Sequence, residues 1–117
     1  MRKILLVDDD DLVREIGCRL LASMGHSVHP ASSGSEAMAI LESGQTFDFL
    51  FSDVMMPGGM NGIDLARSAA QSHPEMKIVL VTGNIDQDLL SQEPLSNRFT
   101  ILSKPYRKQV LAQVFQD

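Results

Sequence analysis

The chain has 117 residues, 44% of them apolar and 21% charged, the balance of one ordinary globular domain spanning residues 1–117. That excludes a disordered acidic tail, a collagenous repeat and a disulfide-framed miniprotein, and the single cysteine, Cys18, can close neither an internal disulfide nor a cysteine-based zinc site. Fifteen acidic against ten basic side chains give a net charge of −5. This is the wrong sign for a nucleic-acid surface, and no apolar run approaches the ~18 residues of a membrane span.

In chain order, Met1-Arg2-Lys3 precedes only four apolar residues, too few for an export signal, so a reducing cytoplasm is expected. Those four, Ile4-Leu5-Leu6-Val7, read as a parallel strand buried on both faces. Four consecutive aspartates follow, Asp8 to Asp11. Leu12, Ile16, Leu20 and Met24, with Val13 and Leu21 beside them, then keep helical spacing. Asp10 or Asp11 caps that helix and Gly25 ends it. Ser27 to Ala31 is a short second strand. Ser33-Gly34-Ser35-Glu36 opens a second helix that stops at Gly44. Phe47 to Ser52 forms a third strand ending on Asp53. After the turn-rich stretch Met56 to Gly62, a third helix runs from about Ile63 to Ser72. Lys77 to Thr82 and Phe99 to Ser103 are the fourth and fifth strands, and Arg107 to Phe115 is the last helix.

Strands and helices alternating at this spacing predict an α/β fold, a five-stranded parallel sheet covered on both faces. Proline cannot donate to a ladder, so Pro30 places the second strand at an edge. The doubly wound order 2-1-3-4-5 satisfies this, and ligands there bind at the carboxyl ends flanking the switch between the first and third strands. Asp8, Asp9 and Asp53 all converge on that crevice.

Three carboxylates at ~4 Å and an effective dielectric near 20 repel by about 4 kcal/mol per pair. Such a cluster calls for a cation or for protons, and hard oxygen ligands favour Mg²⁺, or Mn²⁺ in its place. The competing reading is a solvated acidic loop without an ion. Thr82 ends the fourth strand and Lys104 follows the fifth, adding a hydroxyl and a cation to the same rim. A nucleophilic carboxylate, a metal, a hydroxyl donor and a cation together make a phosphoryl site.

Over its whole length the chain resembles the receiver domain of two-component response regulators. The motifs are Leu6-Val7-Asp8-Asp9-Asp10, Ser52-Asp53-Val54-Met55-Met56-Pro57, Asn61-Gly62-Ile63-Asp64-Leu65, Val81-Thr82-Gly83 and Leu102-Ser103-Lys104-Pro105-Tyr106. The resemblance implies a flavodoxin-like fold with Asp53 as phosphoacceptor. It makes Asp9, Asp53 and the backbone carbonyl of Met55 direct Mg²⁺ ligands, with Asp8 acting through water. Thr82 and Lys104 would contact the phosphoryl oxygens. The implied partner is a histidine kinase or a histidine phosphotransfer protein, with no direct nucleic-acid binding and no membrane insertion; a homodimer stays open. Phosphorylation would be self-catalysed and slowly reversed, with output by binding and not by enzymatic turnover.

Three features depart from the common pattern. The loop Pro57 to Gly62 is one residue longer than the commonest receiver form and resembles the version frequent in receivers attached to hybrid sensor kinases, though stand-alone regulators have it too. Ile101 stands where many receivers carry a reorienting aromatic, and it is expected to stay buried. Pro94 lies within Ile85 to Asn97, so a shortened or irregular fourth helix is expected there, and phosphorylation is expected to impose order on Gly83 to Asn97. Two other readings compete. One is a Mg²⁺-dependent aspartyl-phosphate phosphatase similar to the haloacid dehalogenase group, whose Asp-x-Asp pattern Asp8 and Asp10 imitate. The other is a degenerate receiver acting only as a binding scaffold. His26, His29 and His73 read as surface residues, Cys18 as a packing residue, and the methionines as core and loop filling.

Overall fold

A computed structural model describes residues 2–54, 61–82, 99–103 and 107–115. Its elements run β1 (Lys3–Val7), α1 (Asp11–Ser23), β2 (Ser27–Ala31), α2 (Gly34–Glu42), β3 (Phe49–Asp53), α3 (Gly62–Ser72), β4 (Lys77–Thr82), β5 (Phe99–Ser103) and α4 (Lys108–Val114). The segment in which the sequence places a shortened fourth helix, between β4 and β5, lies outside the described residues.

Local chemistry sets the helix ends. The side chains of Asp10, Ser33 and Asn61 accept hydrogen bonds from the N–H groups of Val13, Glu36 and Asp64 at 3.0, 3.0 and 2.9 Å. Each satisfies a donor that the first helical turn leaves without a partner. Gly25 and Gly44, at φ +94° and +98°, take the left-handed turn after α1 and α2.

The sheet is parallel throughout, in the order β2-β1-β3-β4-β5. Pro30 does lie on an edge strand, paired with Leu6. The period-2 alternation divides each central strand between two cores. Leu5, Val7, Leu50, Ile78 and Leu80 pack with Ala37, Leu41, Ile63, Leu65, Ala66 and Ala69 of α2 and α3. Ile4, Leu6, Phe49, Phe51, Val79 and Val81 pack on the other face with Leu21 of α1, Leu111 of α4 and Phe115. Phe115 meets Phe49 and Phe51 edge-on, with centroids 4.7 and 5.3 Å away. None of the described helices is long and apolar enough to cross a membrane.

Four side chains differ from expectation. Leu12 and Ile16 are 65% and 55% exposed, whereas Gly17 and Leu21 are buried. Two overlapping stripes fit the helical period in α1, and the one carrying Gly17 and Leu21 is the buried one, with Leu21 packed in the core under the sheet. Ile101 is half-buried instead of buried, since β5 is an edge strand. His26 is a joint and no mere surface residue: its Nδ1 accepts the Arg2 N–H at 3.1 Å and its ring meets Phe115 edge-on.

Candidate functional site

The register delivers the acids. Val7 pairs with Ser52, so the next residues along these neighbouring strands are Asp8 and Asp53. Asp53 in turn pairs with Val81, one residue short of Thr82. Asp8, Asp53 and Thr82 are 6%, 8% and 3% exposed, and Asp9 is exposed at the rim. One carboxylate oxygen from each of Asp8, Asp9 and Asp53 lies within 4.8 Å of the others. Met55 and Lys104 lie outside the described residues.

The loop from β1 to α1 is held at several points. The Asp8 N–H donates to the Ala31 carbonyl at 3.1 Å. One Asp8 carboxylate oxygen accepts the Asp10 N–H at 2.9 Å, an Asx-turn. The Asp10 carboxylate is turned away from the crevice to cap Val13. It therefore does not serve as the second acid of an Asp-x-Asp pair, which counts against the phosphatase reading. Arg14, which the sequence reading passed over, donates Nη1–H to the Asp8 carbonyl at 2.8 Å and Nη2–H to the Asp11 carboxylate. Its i,i+3 spacing from Asp11 was the available sequence signal. The hydrogen bond to Asp11 raises the Arg14 pKa, burial opposes this, and the charges of Asp11, Glu36 and Asp8 add to the rise.

The β3 side is packed with equal economy. The Val54 N–H donates to the Val81 carbonyl and the Gly62 N–H to the Val54 carbonyl, both at 2.9 Å. A Cβ on Gly62 would lie 2.1 Å from the Asp53 carbonyl oxygen. The glycine thus lets the start of α3 lie directly against the backbone of the candidate phosphoacceptor.

Three hard oxygen donors on one rim, two from nearly buried side chains, fit a divalent cation such as Mg²⁺ with water completing the shell. A recess of about 10 Å³ lined by Asp8, Asp53, Ser52 and Val81 adjoins them. That is room for about one water-sized body.

The family model for the response regulator receiver domain matches residues 4–116. The chain is 38% identical to the sensor kinase CckA of Brucella abortus over 115 residues, covering 97% of this chain and 12% of that protein. It is thus similar to about an eighth of that much longer relative. It is 35% identical over 114 residues to the chemotaxis protein CheY of Pseudomonas aeruginosa, covering 95% of this chain and 90% of that one. Among solved structures it resembles the response regulator TrrA of Thermotoga maritima in complex with Mg²⁺-BeF. There the TM-score is 0.82 at 26% identity, covering 97% and 96% of the two chains.

Proposed function

We propose that this chain, which belongs to the response regulator receiver domain family, accepts a phosphoryl group on Asp53 from the phosphohistidine of a histidine kinase or phosphotransfer protein. The observation that carries this reading is the meeting of Asp8, Asp9 and Asp53 at the carboxyl ends of β1 and β3. A carboxylate oxygen of Asp53 attacks phosphorus in line. The P–O bond forms as the P–N bond to histidine breaks, and the imidazole nitrogen keeps the electron pair and takes up a proton. Held by Asp9, Asp53 and the Met55 carbonyl, with Asp8 acting through water, Mg²⁺ or Mn²⁺ would offset the negative charge that both reactants bring. The Thr82 hydroxyl donates to a phosphoryl oxygen and Lys104 supplies positive charge. Slow hydrolysis of the acyl phosphate resets the domain, so its output is changed partner binding and not steady turnover.

Incubation with a small acyl-phosphate donor and Mg²⁺ should add one phosphoryl group, read by intact mass. Asp53→Asn should abolish the addition. Stoichiometric labelling that survives in this variant overturns the assignment.

A further inference from the structure

Four consecutive aspartates leave β1, and three carboxylates from that loop and from Asp53 would be driven apart by their own charge. What opposes the spreading is visible in the loop. The Asp8 carboxylate takes the Asp10 N–H, and the Asp10 carboxylate takes the Val13 N–H. The Arg14 guanidinium then closes the curl by bonding the Asp8 carbonyl with one arm and Asp11 with the other. Its side chain is 19% exposed, against 90% for Asp11, so its fork is held against the protein and not loose in solvent. A guanidinium presents two donors in a fixed planar geometry, which a lysine ammonium cannot copy.

We propose that Arg14 is a positioning residue: its fork clamps the Asp8–Asp11 loop so that Asp8 and Asp9 stay beside Asp53 in the geometry a divalent cation requires. This rests on the reading of the acidic rim as the Mg²⁺ and phosphoryl site. The clamp makes a prediction opposite to that of simple charge. A nearby cation repels Mg²⁺, so removing it should tighten Mg²⁺ binding if Arg14 acted through the field alone. Removing a clamp weakens binding, because the ligands must then be gathered at the moment the ion arrives. Groups that orient metal ligands typically contribute roughly 10–100-fold in affinity.

The test is Mg²⁺ titration calorimetry on wild type, Arg14→Met and Arg14→Lys, with amide hydrogen exchange of the loop in metal-free protein. Both variants should raise the Mg²⁺ Kd about tenfold or more. Both should also lose protection at the Asp10 and Val13 amides. The labelling rate of Asp53 at saturating Mg²⁺ should stay near wild type, so the defect appears in the Mg²⁺ requirement and not in the maximal rate. An unchanged or tighter Kd in Arg14→Met refutes the clamp. So does Arg14→Lys behaving as wild type, since charge alone would then suffice. If the wild type itself binds no Mg²⁺, the functional reading falls and the clamp falls with it; wild-type binding with indifferent variants overturns the clamp alone.

Discussion

Replacing Gly62 with alanine should damage this domain well beyond the loss that one methyl group suggests. The added Cβ would sit 2.1 Å from the Asp53 carbonyl oxygen, 2.8 Å from the Val54 Cα and 2.9 Å from the Asp53 carbonyl carbon. Carbon atoms pack best at about 3.5–4.0 Å, so one of two walls must yield by roughly 1 Å. Neither can do so cheaply. Strand β3 is paired on both sides, to β1 and β4, and α3 is anchored by the buried Ile63, Leu65, Ala66 and Ala69. Overpacking of this kind costs about 1–3 kcal/mol, and because all three atoms met are backbone and not a side chain that can swing away, the cost lies near 3. For a domain of this size that is a fall in Tm on the order of 10 °C. Helix propensity acts the other way, favouring alanine by at most about 1 kcal/mol, so the sign of the change is diagnostic. Because the displaced carbonyl belongs to Asp53, phosphoryl labelling should also slow; misplacing a reacting group by about 1 Å can cost on the order of 100-fold. Urea denaturation and labelling by a small acyl-phosphate donor read the two effects. Gly44→Ala is the control: its φ of +98° penalises a side chain, yet nothing lies within 4 Å. It should lose about 1–2 kcal/mol and label normally. A Gly62→Ala protein within about 0.5 kcal/mol of wild type would refute the close-approach reasoning.

Asp9→Ala should stabilise the metal-free protein by relieving repulsion while abolishing its response to Mg²⁺. The wild type should gain about 2.7 kcal/mol at an Mg²⁺ concentration of roughly 100 times its Kd, and a melting temperature responsive in the variant but not in wild type would remove the carboxylates from the site. Hydrogen bonds from the Ser32 hydroxyl and N–H hold the Glu36 carboxyl below its ordinary value, with burial opposing and Arg14 assisting. The unfolded chain then binds this proton more readily than the native one, so the contribution is present above the ordinary glutamate range and is lost as pH falls through the native value. Urea midpoints taken from neutral to acid pH should decline less steeply in Glu36→Gln, and identical slopes would contradict the assignment. Burial raises the Cys18 thiol pKa, with Arg14 acting against it. Alkylation at neutral pH should therefore be slow in native protein and fast in urea; equal rates would show the thiol to be accessible.

Much of this protein was legible in the sequence because the relevant signals are local. The apolar runs of β1, β3 and β4, the capping side chains Asp10 and Ser33, and the glycines at 25 and 44 each act within a few residues. A proline in β2 was enough to place that strand at an edge, because a missing donor is tolerated only there, and the doubly wound order 2-1-3-4-5 met that condition. Once the strand order was known, Asp8, Asp9 and Asp53 had to meet, since doubly wound topology brings the ends of β1 and β3 together. Distances between elements are another matter. Periodicity could not choose between the Leu12–Ile16 stripe and the Gly17–Leu21 stripe of α1, because both fit one helical period and only packing against the sheet separates them. Nor could it show that Arg14 reaches back to the Asp8 carbonyl, that His26 accepts from Arg2, or that Gly62 presses on the Asp53 backbone. Those contacts arise from how closely two surfaces approach, and that distance is set jointly by every side chain between them and by none of them alone.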